Sequence, residues 1–277
     1  MAICLRARST IVAMRRMPAA DMTADMMAGE YVAASIDSQG VMRLQLKRPD
    51  KKNALTPAMY RKLAQQLREA DENPQVRVVT LTGSGDSFCG GNDVTDFVPQ
   101  QGTAPDASAA MDFLAAITAI EKPVIAAVNG LAVGIGVTLL LHCDLVYAAD
   151  IATFAMPFVN LGIVAEAAST QILPALLGHQ RACDLLLFGE PIDASRALAI
   201  GLVNEMLPLT QLASRVEERA IRLAGKPLPS VLAMKALLRR PADPVDVRMQ
   251  VEATEFVRLL QTPETRAIIE GFLRRRR

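Results

Sequence analysis

The chain has 277 residues, 51% of them apolar, and its 30 Lys and Arg offset 29 Asp and Glu to leave a net charge of +1. That size supports one large domain with a small appendage, and the near-neutral balance gives no basis for a nucleic-acid or strongly acidic partner. No Trp, three Tyr and four scattered cysteines (Cys4, Cys89, Cys143 and Cys183) exclude a base-stacking platform, a disulfide framework and a clustered metal site, and they suit a reducing compartment.

Residues 1–29 read as a disordered extension. The first 28 carry six methionines and several arginines, with no acidic residue before Asp21. A mitochondrial transit peptide or a start codon placed too far upstream would each explain this, and the second is preferred. Alternation over Tyr31–Ile36 and over Val41–Leu46, joined by Asp37-Ser38-Gln39-Gly40, predicts a β-hairpin. Thr56 and Pro57 then open a helix with an apolar face of Met59, Leu63, Leu67 and Ala70, ending near Asp71. On composition alone Lys51 and Lys52, just before it, belong to a solvated loop.

Val76 to Leu81 is strand-like. GSGDSFCGGNDVTDF (83–97) follows as a glycine-rich loop of the kind that offers backbone N–H groups to a ligand, but it matches neither GxxxxGK[ST] nor GxGxxG. Residues 98–107 read as a mobile loop and Ala109–Ile120 as a helix.

The stretch from 123 to 171 organises the chain. Val124–Val128 is a buried strand closed by Asn129-Gly130, and Gly134 and Gly136 let backbone come close to a partner where Val137–His142 begins a helix. N–H groups exposed at such a start favour negative charge. The run from Val124 to Leu141 approaches the length of a membrane span, yet Asn129, Thr138 and three glycines interrupt it, so a buried strand plus helix is preferred. The plan then repeats: Leu145–Ala148 is strand-like, Phe154–Gly162 a loop, and Glu166 stands where a new helix is expected. Beyond it, Leu173–Leu187 is helical with a break at Gly178, Asp193 caps a short helix ending at Gly201, and Leu202–Met206 is a last strand. From Gln211 the chain is helical, broken at Pro227 to Pro229, Pro241 to Pro244 and Pro263, and forms a separate layer.

Little in this inventory does chemistry by itself. His142 and His179 read as structural, no serine stands in a GxSxG elbow, and Cys89 has no basic partner and reads as packing. Glu166 differs: a carboxylate between Val164 and the alanines 167 and 168 must be solvated, paired or functional.

FCGGND (88–93), KPVIAAVNGLAVGIG (122–136), CDLVYAAD (143–150) and IDASRALAIGLVNEM (192–206) together resemble the crotonase family, the enoyl-CoA hydratase/isomerase superfamily, over about residues 30–277. The resemblance implies an α/β fold, a spiral of repeated ββα units over 30–206 that binds acyl-CoA and carries catalysis, and a C-terminal helical trimerisation region over 207–277. It implies trimers or dimers of trimers, an acyl-CoA substrate that brings its own coenzyme A, and no other cofactor, metal, nucleic acid or membrane span. Two backbone N–H groups hold an enolate oxygen in this family, and by position they fall on Asn92 and Ile135. Such a donor supplies about 3 to 4 kcal/mol in the transition state.

The family's hydratases carry two glutamates whose places here hold Thr138 and Phe158. PFVNLGIVAEAAST, GNDVTDF and AVGIGVTLL instead resemble the peroxisomal-type Δ3,Δ2-enoyl-CoA isomerases, in which one glutamate lies four residues after the LG pair, at Glu166 here. The resemblance further implies that Lys51, Lys52, Ala54 and Leu55 meet the CoA nucleotide and that Gly90, Gly91, Asp93 and Gly134 flank the thioester. Val133, Phe158, Leu161 and Val164 would line the acyl pocket. Phe272 and the arginines after it would approach adenine or phosphate. With no SKL-type ending, a cytoplasmic setting is expected.

Overall fold

The computed structural model describes residues 31–93 and 107–274. The expected extension and nearly all of the expected loop at 98–107 lie outside them. Strands β1 (Val32–Ile36) and β2 (Val41–Leu46) form the hairpin, with Val32 opposite Leu46. Asp37 closes it, its Oδ1 accepting from the N–H groups of Gln39 (2.8 Å) and Val41 (3.0 Å), the local bonding that makes aspartate a turn residue. Helix α1 (Pro57–Glu72) begins where Thr56 Oγ1 accepts from Met59 N at 3.3 Å. It buries Met59, Leu63, Leu67 and Ala70 as their spacing predicts, with Tyr60 beside them.

The chain then winds in strand–strand–helix turns. β3 (Val78–Gly83), β5 (Val124–Val128) and β7 (Leu145–Ala149) run parallel to β2 in a six-stranded sheet of order β1-β2-β3-β5-β7-β10, where β10 is Glu205–Leu207. Each of those three passes into a short strand of a second sheet: β4 (Ser87–Cys89), β6 (Leu131–Val133) and β8 (Thr153–Ala155), with β9 (Ile192–Asp193) on its edge. The helices that follow these strands are α2 (Ser108–Ala119), α3 (Ile135–Thr138), which continues as a 3-10 turn over Leu139–His142, and α4 (Ser169–Leu177). α5 (His179–Cys183), a π turn over Asp184–Phe188 and α6 (Ala194–Ala199) complete the spiral.

The large sheet is covered on both faces, which is why β5 is apolar without alternation and wholly buried. One face meets the main core, with Phe88 and Phe113. On the other lies α7 (Leu209–Ala224), whose Leu212, Val216, Ala220 and Ala224 pack on Val41, Val78, Ile125 and Tyr147.

Three helices follow: α8 (Leu228–Arg239), α9 (Val245–Leu260) and α10 (Pro263–Arg274). Lys235 pins α8 to the core, its buried Nζ donating to Asp144 Oδ2 (2.7 Å) and to the carbonyl of Lys122 (2.6 Å). α9 and α10 bury none of their residues, and Met249, Phe256, Ile268 and Phe272 stand exposed. No helix among the described residues is long and apolar enough to cross a membrane.

Candidate active site

The site opens where the small sheet ends. β4 and β6 pair in parallel with Cys89 opposite Ala132, and Asn92 and Ile135 each lie three residues beyond that pair. Adjacent parallel strands sit about 4.8 Å apart, so equal offsets bring both residues to the same edge. Leu55 N donates to the Gly91 carbonyl (2.8 Å) and Asp93 N to the Leu55 carbonyl (3.0 Å), bridging around Asn92. The alternation of extended backbone turns the N–H of Asn92 itself to the side away from Leu55, and Asn92 lines a cavity. Ile135 opens α3 directly after Gly134, so its N–H is one of the first-turn donors for which a helix has no internal acceptor. The two loops touch through backbone. A Cβ on Gly136 would stand 2.4 Å from the Cys89 carbonyl, and one on Gly91, at φ +100, 3.1 Å from the Val133 carbonyl; only glycine fits these places.

Glu166 corrects one expectation. It does not start a helix, because α4 begins at Ser169, and the residues between, Ala167 (φ 57) and Ala168 (φ 54), are both left-handed. Such backbone costs about 1 to 3 kcal/mol per residue. Ser169 holds the turn from one side, its N (3.1 Å) and Oγ (2.6 Å) both donating to the Glu166 carbonyl. The carboxylate faces α3, where Oε1 accepts from Thr138 Oγ1 at 2.5 Å. Burial raises the pKa of Glu166 above the usual carboxylate range, and the Thr138 bond opposes that rise.

The cavity that Glu166 lines measures about 250 Å³. Its walls are Leu55 and Tyr60, Met111 and Leu114 of α2, and Phe158, Ile163 and Val164 from the segment after β8. Asn92 and Glu166 add polar groups, and among the described residues Glu166 is the only carboxylate on the wall. The Tyr60 hydroxyl donates to Asn92 Oδ1, and its ring lies 5.5 Å from that of Phe113. Burial, with smaller effects from Cys89 and Glu166, pushes the Tyr60 pKa up, so its hydroxyl stays a donor.

Of the residues expected to bind substrate, Leu55, Phe158 and Val164 line this cavity together with Asn92 and Glu166. Gly90, Gly91, Val133, Gly134 and Ile135 are not on its wall; a Cβ on Gly134 would stand 3.9 Å from Phe158 Cζ, Gly90 N donates to the Lys52 carbonyl (2.7 Å) and Gly134 N to the Ala155 carbonyl (2.9 Å). Leu161 is not on the wall and is 61% exposed. Lys51 and Lys52 are exposed, Lys52 pairing with Asp86 at 2.6 Å. Asp93 is held by Arg48 at 2.7 Å, and the same guanidinium donates to the Ala54 carbonyl at 3.1 Å. Tyr60, Met111, Leu114 and Ile163 escaped the sequence reading. A tyrosine adjoining the buried stripe of α1 was the one available signal; nothing linear marks the other three. Among the described residues no group of three or more His, Cys, Asp or Glu is placed to hold a metal ion.

The family model described as enoyl-CoA hydratase/isomerase matches residues 37–277. The chain is 37% identical over 223 residues to enoyl-CoA delta isomerase 2 of Rattus norvegicus, covering 78% of this chain and 57% of that one. It is 31% identical over 255 residues to 1,2-epoxyphenylacetyl-CoA isomerase of Escherichia coli, covering 89% and 97%. The chain thus spans little more than half the length of the delta isomerase 2 relatives. Among solved structures, one from Magnetospirillum magneticum AMB-1, named for enoyl-CoA hydratase/carnithine racemase, superposes with a TM-score of 0.85 at 41% identity, covering 89% of this chain and 96% of that one. An enoyl-CoA hydratase/isomerase from Pseudoalteromonas atlantica T6c gives 0.71 at 35% identity, covering 88% and 97%.

Proposed function

Because this chain belongs to the enoyl-CoA hydratase/isomerase family, the crotonase superfamily, we propose that it moves the double bond of a 3-enoyl-CoA into conjugation in fatty-acid oxidation, with Glu166 as its single base. The observation that carries this reading is the lone carboxylate. Among the described residues Glu166 alone brings one to the cavity, held by Thr138 at a place where the family's hydratases carry a glutamate.

In this reading the thioester oxygen lies between the N–H groups of Asn92 and Ile135. Negative charge developing there acidifies the C2 proton. Glu166 takes that proton, the electron pair runs from C2 through the carbonyl as a dienolate, and the same carboxyl returns the proton to C4 to give the 2-enoyl product. One group does both steps, and a pKa raised by burial suits it, since base and acid forms are then closer in energy near neutral pH. Hydration by the family's usual route uses two glutamates, and at their places here neither the Thr138 hydroxyl nor the Phe158 ring accepts a proton near neutral pH, which leaves Glu166 without a second carboxylate among the described residues of the wall.

Phe158 and Val164, with Val133 and Leu161 at the margins, would meet the acyl chain. Lys51 and Lys52, with Ala54 and Leu55, would meet the CoA nucleotide, Lys52 exchanging Asp86 for phosphate. The apolar surfaces of α9 and α10 support assembly as a trimer or dimer of trimers, and the setting proposed is cytoplasmic.

The test compares the parent with Glu166→Gln on trans-3-hexenoyl-CoA and on crotonyl-CoA, followed by product chromatography. We expect isomerisation by the parent, a loss of about 10²- to 10⁴-fold in the variant with CoA binding kept, and negligible hydration in both. Isomerisation at the parent rate in the variant, or hydration alone, would sink the single-base reading in favour of another crotonase chemistry; binding without turnover in the parent would mark a silent acyl-CoA binder.

A further inference from the structure

Between Ile135 and His142 the chain coils as α3 and a 3-10 turn, and two side chains of this segment reach the turn that carries Glu166. Thr138 Oγ1 donates to the Glu166 carboxylate at 2.5 Å. One peptide further on, the Ala167 carbonyl lies 2.9 Å from His142 Nε2. A carbonyl only accepts, so the imidazole proton on this side sits on Nε2. Thr138 and His142 are four residues apart, the spacing that puts two side chains on one side of a coiled segment. We propose that His142 is a positioning residue for Glu166: together with Thr138 it forms a two-point clamp, one point on the carboxylate and one on the peptide that follows it. The proposal rests on Glu166 being the base. His142 is not on the cavity wall and acts only through the turn.

The turn needs holding. Two successive left-handed alanines lie between Glu166 and α4, a conformation that L-residues leave unless surrounding contacts fix it. Ser169 secures the Glu166 carbonyl. His142 secures the next one, where rotation of the 167–168 peptide would carry Glu166 with it. His142 is itself fixed, since its carbonyl accepts from an Arg239 guanidinium N–H at 2.8 Å. Arg239 also donates to the carbonyls of Thr118 (3.2 Å) and Ile120 (3.0 Å). The clamp therefore continues through α8 to the end of α2, the helix whose Met111 and Leu114 also line the cavity.

Two substitutions separate positioning from packing. His142→Gln keeps an N–H donor near the place of Nε2, whereas His142→Leu fills a similar volume with none. With trans-3-hexenoyl-CoA, we expect His142→Leu to lower kcat about 100-fold with KM within about twofold, and His142→Gln to recover to within about fivefold of the parent, as a displaced catalytic group requires. An unchanged kcat in His142→Leu, or equal losses in both variants, overturns the proposal. If His142→Leu does not fold, His142→Asn replaces it, because its shorter amide does not reach Ala167; a kcat equal to that of His142→Gln then overturns the clamp. Should Glu166→Gln show that Glu166 is not the base, crystal structures still decide the clamp. Ala167 and Ala168 should leave the left-handed region in the variant without a donor and keep it in His142→Gln; retention in both overturns it.

Discussion

At Glu166 two opposing influences set the proton affinity: burial disfavours the charge and Thr138 favours it, with burial the larger. The consequence for stability has a definite sign. A carboxyl with a folded-state pKa above its ordinary 4.5 favours the fold below the unfolded value, and that contribution is lost as pH rises through the folded value. Glu166→Gln, neutral throughout, escapes the loss. Its melting temperature should exceed the parent's at pH 8, and the gap should shrink by pH 4. Parallel melting curves across that range would show that burial does not disfavour the charge at this position. The proposed base is thus a group whose charged form weakens the fold, a trade common at active sites.

Among the elements, the corner from β3 to β4 depends on a side chain outside either strand. Asn53 is fully buried, with Nδ2 donating to the carbonyls of Ser84 (2.9 Å) and Ser87 (2.7 Å) and Oδ1 accepting from Arg48 N (2.8 Å). Asn53→Ala leaves these groups without partners and should cost about 1 to 3 kcal/mol, read from urea or thermal unfolding; an unchanged midpoint would mean that water replaces the amide. Such contacts mark the limit of what the sequence discloses. β2 is legible in its alternation, β5 and β7 in their apolar runs, and α1 in its Thr56 cap and Pro57. β4, β6, β8 and β9 are not, since two or three residues carry no period and pairing alone makes them strands. The same holds within the site. Asn92, Ile135 and Glu166 are assigned through motif resemblance, from their places in the chain. Tyr60 and His142 reach Asn92 and the turn after Glu166 through bonds to residues 32 and 25 positions away, which no linear pattern marks. The expected helix start at Glu166 failed for a related reason: alanines are good helix formers, and the two that stand left-handed here are tied by bonds to the carbonyls of residues 166 to 168 from Ser169, His142, Gln171 and Ile172.

At the scale of the molecule, α8 to α10 form a layer held by few buried contacts. Lys235 on Asp144 is one of them, and burial lowers the Lys235 pKa even with that carboxylate alongside. Removing one partner of such a pair typically destabilises by about 3 to 5 kcal/mol. Beyond it, Met249, Phe256, Ile268 and Phe272 face outward, more apolar surface than an isolated subunit readily keeps in water. If the proposed trimer or dimer of trimers covers this surface, sedimentation equilibrium should give three or six times the subunit mass, and Phe256→Glu with Met249→Glu should lower it; a monomeric parent would require a different partner for this layer. The loops that meet at Cys89 and Gly136 bear on how such a protein changes over generations. The proposed oxyanion donors are peptide N–H groups, which no substitution at Asn92 or Ile135 other than proline deletes. The proposed base is a side chain, Glu166, and the hydratase glutamates implied by the resemblance would stand at 138 and 158, where this chain has Thr and Phe. On the proposed reading, activation of the thioester is inherited with the backbone, while the reaction that follows is open to side-chain substitution without rebuilding the site.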